Sequence, residues 1–380
     1  MILHDVCFYG EEKRRHIHIN DGIIHALTDN RDELLRKDGI RLELNGAIAL
    51  PGLINSHDHL EFNCYPALGN KIYTNYRAWG PHIQAAYSET IMQIRKIPVS
   101  LRISWGLYKN LLNGFTTVIN HGEKLMIQDD LISVLQDGDH LHSPAFETGW
   151  KWKLRNPFRK GPVVMHTGEG TDAEAADEID ELVRSNWLRK KLVAIHGVAM
   201  NEKQADNFDG LVWCPASNYF LLGRTAPVDQ LKKHTRIVFG TDSTLTSPWN
   251  IQEHYRQAKQ SGMVNGEELV AMLTDLPAHL WDLKDRGSID MGKKADLVVL
   301  KPDTDIFNLT PSAILLVIQG GKIRLADEFI TGIPNTSSLP FSRIKMGRSV
   351  KIVQGKPVEI AREIRKYFPS FETPFTEDHD

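Results

Sequence analysis

Between residues 53 and 283 the chain repeats one pattern: a short apolar run, a turn, then a longer stretch with apolar residues at helical spacing. The runs at 53–59, 115–120, 163–166, 192–196, 211–214 and 237–240 read as strands, the last four too apolar to leave one face in water. The stretches at 81–97, 101–112, 172–188, 201–208, 228–234, 251–261, 266–273 and 278–283 read as helices, with Asn201 an N-cap and Gly114 a C-cap. Strands alternating with helices predict a parallel sheet covered on both faces. Both chain ends break the rhythm. Short strands are expected at 1–9, 15–19, 22–27 and 295–300, with a hairpin at 315–319 and 322–325 around Gly320-Gly321. Residues 1–50 and 287–335 are therefore read as two halves of one small β module, and 51–286 as the main α/β domain.

Less regular segments carry weaker patterns. Residues 62–80, rich in Asn, Tyr and Gly, read as a long loop of the kind that forms lids or binding walls. Residues 129–136 look helical and 144–148 look like a short strand. The tail, 336–380, offers a strand pair at 350–353 and 357–360, a helix to 368, and a frayed acidic end from 371.

Composition adds limits rather than direction. The chain has 380 residues, 41% hydrophobic and 24% charged, as in an ordinary soluble globular protein. A net charge of -3 supplies no field to recruit nucleic acid or an anionic membrane. The aromatic-basic stretch of Trp150, Trp152, Arg155, Arg159 and Lys160 is read as an exposed loop anchored by its tryptophans. Three scattered cysteines, Cys7, Cys64 and Cys214, point to a reducing compartment and give no thiolate zinc site. No signal-peptide pattern and no apolar stretch of membrane-spanning length is present, so a cytoplasmic protein is expected.

The chemistry lies at the strand ends. His57 and His59, at the end of the first run, share one face of a strand, while Asp58 points to the other. Two such imidazoles side by side suit a divalent metal. His166, His196 and Asp242 close three further runs. In a parallel α/β barrel the carboxyl ends of the strands meet at the face where active sites are built. Imidazoles with one carboxylate suit Zn²⁺, or Fe²⁺ as the second choice. Glu169, three residues past His166, stands where a proton shuttle beside an activated water would stand.

These residues fall inside longer stretches that resemble the amidohydrolase superfamily, in the branch of cytosine, guanine and adenosyl-nucleoside deaminases and triazine hydrolases. The stretches are Pro-Gly-Leu-Ile-Asn-Ser-His-Asp-His (51–59), Thr-Thr-Val (116–118), His-Thr-Gly-Glu (166–169), His-Gly-Val (196–198), Cys-Pro-Ala-Ser-Asn-Tyr-Phe-Leu-Leu-Gly (214–223), Gly-Thr-Asp-Ser (240–243) and the run from Gly287 to Leu300. The resemblance implies a TIM-like (β/α) barrel with a β-sandwich built from both chain ends. It implies His57, His59, His166 and Asp242 as metal ligands. It also implies Glu169 and His196 as proton-transfer and transition-state groups, with Asp242 helping to activate the water. The implied reaction is attack by metal-activated hydroxide on a heterocycle carbon, with Glu169 passing the proton to the ring nitrogen and ammonia leaving. A homodimer is a family-level expectation.

This sequence also departs from the family. Val163 lies only 43 positions after Asn120, too few at about 30 residues per βα unit, so one truncated or lost unit is expected. No strand-borne lysine suited to bridge a second metal is found, which favours a single ion. Gly287 to Lys294 resembles a phosphate-binding loop but lacks its final Ser or Thr and precedes a strand. The H-x-E and P-C-x-x-C pair of the other zinc deaminases is absent. Asn63, His121, Glu147, Trp150 and Trp249 are candidate substrate contacts, each with structural anchoring as the rival role; Ser217 and Asn218 are expected to pin a loop. The expected function is deamination of an amino-substituted heterocycle. The alternatives are hydrolysis of a cyclic amide or halogenated ring, and a metal-binding paralogue without turnover.

Overall fold

The computed structural model describes residues 1–158, 161–330 and 340–378. Arg159, Lys160 and the proposed boundary near 335 lie outside the described residues. The N-terminal strands are β1 (Ile2–Phe8), β2 (Arg14–Asn20), β3 (Ile23–Thr28) and β4 (Arg41–Pro51). Strand β4 runs directly into β5 (Leu53–Asp58) through Gly52. A Cβ on Gly52 would sit 2.2 Å from Thr116 Oγ1, so this sharp junction needs glycine.

The α/β part follows as α1 (Tyr76–Ala86), α2 (Ser88–Arg95), α3 (Val99–Leu112), β6 (Phe115–Asn120), β7 (Ser133–Leu135), β8 (Asp139–Leu141), α4 (Trp150–Leu154), β9 (Val163–Thr167), α5 (Ala173–Ser185), β10 (Leu192–His196), α6 (Glu202–Ala205), β11 (Gly210–Trp213), α7 (Pro215–Leu222), α8 (Val228–Leu231), β12 (Arg236–Phe239), α9 (Ile251–Ser261), α10 (Gly266–Leu273) and α11 (Asp275–Leu280). Strands β5-β6-β7 and β12-β11-β10-β9-β8 form two all-parallel sheets. The end of β12 meets β5 through the Asp242 amide, which donates to His57 O at 3.0 Å. Along the chain, residues 136–138 alone join the two sheets. The expected truncation is visible there. No helix separates β6 from β7 or β7 from β8 among the described residues, and both short strands have only three residues.

Several expected elements are corrected. The helix expected at 129–136 is strand β7, because its apolar run pairs with β6 instead of forming a turn. The strand expected at 144–148 is a turn, and the strand lies earlier, at β8. Residues 76–80, read as loop, open α1, whose N-cap is Asn75 with its side chain accepting from the Ala78 amide. Residues 150–154 of the aromatic-basic stretch form the short helix α4, with Trp150 buried and Trp152 72% exposed.

The remaining strands are β13 (Leu297–Leu300), β14 (Ile314–Gln319), β15 (Lys322–Asp327), β16 (Phe341–Met346), β17 (Ser349–Gln354) and, after helix α12 (Pro357–Arg365), β18 (Thr376–Glu377). Hydrogen bonding runs through one ten-stranded sheet, β18-β16-β17-β15-β14-β13-β4-β1-β2-β3, so both chain ends share it. The tail strand pair is β16 with β17, and 357–360 opens a helix, as Pro357 in its first turn allows. The end is not frayed through residue 378: Phe371 and Phe375 are buried against Trp105, with ring centroids 5.0 and 5.8 Å away. Tyr108 Oη donates to Gln354 O at 3.1 Å and accepts from the Lys356 amide at 2.9 Å. The tail thus clamps the outer side of α3.

Helix α3 approaches the first site strand closely. A Cβ on Gly106 would lie 2.3 Å from the main-chain oxygen of Leu60, the residue after His59. Gly106→Ala is therefore expected to destabilise the protein by about 1–3 kcal/mol or more, as overpacking against backbone does. A thermal melt reads the loss.

Candidate metal centre

Strand β5 delivers His57, which is 1% exposed, and His59 follows just past its end. Their ring centroids are 4.9 Å apart. Asp58 faces the other way and is fully buried among donors: Asn63 Nδ2 at 2.9 Å, Asn110 Nδ2 at 2.7 Å and Lys109 Nζ at 3.2 Å. The strand alternation read from sequence thus separates two imidazoles from a structural carboxylate.

His166 on β9, His196 at the end of β10 and Asp242 just past β12 come to the same place. The Nε2 atoms of His57 and His166 are 3.3 Å apart, and His57 Nε2 is 3.7 Å from Asp242 Oδ1. Candidate ligand atoms of His57, His166 and His196 lie within 4.8 Å of one another, as do those of His57, His59 and Asp242. His196 and Asp242 both adopt left-handed backbone conformations, φ 71° and 56°. Each costs on the order of 1–3 kcal/mol for a residue with a Cβ, a cost that persists only where surrounding bonds over-determine the conformation.

Burial first, then the neighbouring imidazoles, hold His57 and His166 well below the usual histidine range, so both rings are neutral. His166 Nδ1 is 2.7 Å from His142 O and donates to it, which leaves a lone pair on Nε2 facing His57. His57 Nδ1 is buried without a hydrogen-bond partner. Burial would raise the Asp242 carboxyl, but the His196 and His59 imidazoles, the Ser243 amide and the Ser217 hydroxyl hold it below its ordinary value. The neutral imidazoles of His57 and His166 beside one ionised carboxylate are a donor set that fits a divalent cation.

Glu169 stands beside this set, its Oε1 3.6 Å from His196 Nε2. Burial pushes its carboxyl up to about 7, against the pull of His196. Its loop is fixed on both sides: the Gly168 amide donates to Glu178 Oε1 at 2.8 Å, and Glu169 O accepts from the Tyr76 amide at 3.1 Å. The segment after β5 therefore packs over the Glu169 loop.

Ser217 and Asn218 pin more than a loop. They lie on α7, and their side chains reach the site. Asn218 Oδ1 accepts from His196 Nδ1 at 2.8 Å, leaving Nε2 as the site-facing acceptor. Ser217 Oγ donates to Asp242 Oδ2 at 2.8 Å, and Thr246 Oγ1 is 3.0 Å from the same oxygen. The sequence carried a signal for α7: Pro215 in the first turn and Gly223 as C-cap at φ 67°.

The five candidate substrate contacts are scattered in role. Asn63 is 2% exposed and ties Asp58, His59 O and Leu60 O, while its Oδ1 accepts from the Thr244 amide. His121 packs on His166, centroids 4.5 Å apart, with its nitrogens against Leu141 O and His140 Nδ1. Glu147 accepts from the His142 amide and pairs with Lys153. Trp150 is buried at the start of α4, and Trp249 packs against Trp105, centroids 6.4 Å apart. Sequence reasoning missed Lys109, Asn110, Glu178 and Thr246, because polar residues inside helices or loops reveal their partners only in the fold.

The profile of the Amidohydrolase family matches residues 159–324. No curated protein sequence matches the chain. An adenosine deaminase from Xanthomonas campestris with bound zinc superposes with a TM-score of 0.69 at 16% identity, over 97% of this chain and 98% of that one. This is an amidohydrolase fold. A 5-methylcytosine deaminase from Klebsiella pneumoniae gives a TM-score of 0.61 at 17% identity, over 85% of this chain and 97% of that one. The atrazine chlorohydrolase TrzN of Arthrobacter aurescens, complexed with zinc, gives 0.61 at 16% identity, over 85% and 94%. The superfamily resemblance carried by the motifs is thus borne out, and with it the α/β fold, whose parallel strands lie in two hydrogen-bonded sheets among the described residues. Coverage of 97% by the first of these leaves too few residues unmatched to exclude the tail, so the likeness to that deaminase structure extends past 336, beyond the end of the family profile. Among the described residues, no helix is long and apolar enough to cross a membrane.

Proposed function

We propose that the protein is a metal-dependent aminohydrolase that deaminates an amino-substituted heterocycle, purine-, pterin- or pyrimidine-like. The observation that carries this reading is the buried Glu169 carboxyl, near half-protonation at about 7, set beside a neutral-imidazole and carboxylate cluster. Deaminases with this fold support it. His57, His59, His166 and Asp242 would hold one divalent ion, Zn²⁺ in preference to Fe²⁺. A bound ion of this kind supplies Lewis-acid activation of water near neutral pH.

The chain's own residues account for the rest. Ionised Glu169 takes one proton from the attacking water and delivers it to the ring nitrogen; the water's second proton passes to the amino group, which leaves as ammonia as the C=O bond forms. Asp242 accepts the water's other hydrogen-bonding contact. His196, oriented by Asn218, offers Nε2 to the reacting oxygen. The near-complete burial of His57, His196, Asp242 and Glu169 keeps bulk water from screening these charges. An ammonia-coupled screen of aminoheterocycles with Zn²⁺- and Fe²⁺-loaded protein tests the proposal. Halide or cyclic-amide turnover without ammonia would replace it with the hydrolase alternative that the chlorohydrolase neighbour favours. Metal binding without any turnover would point to the non-catalytic reading.

Asn218→Ala should lower kcat by roughly 10–10²-fold, a part of the acid–base contribution, because His196 loses the acceptor that fixes its tautomer. KM is expected to change little, and steady-state kinetics separates the two.

A further inference from the structure

We propose that Lys109 is a positioning residue for the metal centre: from inside α3 it fixes the main chain of Asp242 and so the aim of that carboxylate. The proposal rests on reading the histidine cluster as a metal site.

Lys109 is 2% exposed. Its ammonium donates to Asp58 Oδ2 at 3.2 Å, Thr241 Oγ1 at 3.2 Å and the main-chain oxygen of Asp242 at 2.5 Å. A group serving only to neutralise Asp58 needs the first contact alone, and Asn110 already donates to the same carboxylate oxygen at 2.7 Å. The other two contacts run from α3 to the segment after β12 and, with the Asp58 contact, tie β5 to that segment. Asn55 adds to this link, with its Nδ2 2.7 Å from Thr241 Oγ1 and its Oδ1 accepting from the Thr241 amide at 3.0 Å.

Asp242 sits at φ 56°, a conformation that a residue with a side chain keeps only when bonds hold it on both sides. Its amide donates to His57 O at 3.0 Å, and its oxygen accepts from Lys109 at 2.5 Å and from Thr241 Oγ1 at 3.1 Å. With the main chain so fixed, the carboxylate lies 3.7 Å from His57 Nε2. Without the ammonium, Asp242 O keeps only the Thr241 hydroxyl, and relaxation of φ turns the carboxylate away from the imidazoles.

The test is the zinc affinity of metal-free protein, by competition with a fluorescent chelator, with the metal-free melting temperature measured alongside. Lys109→Met is expected to weaken zinc binding by roughly 10–100-fold, as loss of a group that orients a metal ligand does. Asp58→Asn/Lys109→Met removes both buried charges together, so it should melt closer to the wild type than Lys109→Met while showing the same loss of zinc affinity. Wild-type zinc affinity in either folded variant overturns the proposal and leaves Lys109 as the counter-charge of Asp58. Wild-type protein that binds no zinc overturns the metal centre itself, and the proposal with it.

Discussion

Glu169→Gln is expected to lower kcat by about 10²–10⁴-fold while leaving the metal content of the purified protein unchanged. Glutamine keeps the size and one oxygen of the side chain but cannot take a proton. Glu169 Oε1 is 3.6 Å from His196 Nε2, and the residue belongs to neither group of converging ligand atoms, so the metal should stay. Burial holds the carboxyl up at about 7, against the pull of His196. The working form is the carboxylate. The wild-type kcat/KM should therefore fall as pH drops below about 7, and this limb should vanish in the variant. Elemental analysis beside a pH–rate profile measures both. Wild-type activity in Glu169→Gln would remove the proton shuttle from the mechanism.

His57→Ala is expected to empty the metal centre. His57 alone belongs to both groups of converging ligand atoms, and its ring packs within 5.0 Å of His166 and 4.9 Å of His59. Its burial means that the variant also loses packing, so a second substitution separates folding from binding. His59 is only half-buried, and His59→Ala should keep its metal-free melting temperature close to the wild type while losing stoichiometric metal. For a protein that binds metal only when folded, stabilisation grows as RT ln(1 + [L]/Kd). Added zinc should raise the melting temperature of the wild type and not of either variant. Full metal content in His59→Ala would take it out of the ligand set.

The parts legible in the sequence were those where local pattern and tertiary environment ask for the same residues. Strands β5, β6 and β9 to β12 are almost wholly buried, and β9 to β12 are short, mostly apolar runs between turn residues. The alternation of side chains on β5 separated His57 and His59 from Asp58, and Asp58 indeed meets α3. The parts that were not legible are those where two structures fit one pattern. Leu131-Ile132-Ser133-Val134-Leu135 suits a helix or a strand, and pairing with β6 made it β7. Residues 357–360 suit a strand, yet they form the first turn of α12, which packs toward α3.

By itself the sequence determined the alternating α/β architecture and pointed to the candidate metal-site residues: four histidines, Asp242 and Glu169, each near or just past a strand end. A strand places its last side chains by its own geometry, so that information is local. Only the tertiary structure decided how these groups are tuned and held. Burial raises Glu169, Asn218 sets the His196 tautomer, Ser217 and Thr246 hold the Asp242 carboxylate, and Lys109 fixes its main chain. Desolvation and hydrogen bonds between elements distant in sequence leave no periodic trace along the chain, since each partner alone reads as an ordinary polar residue.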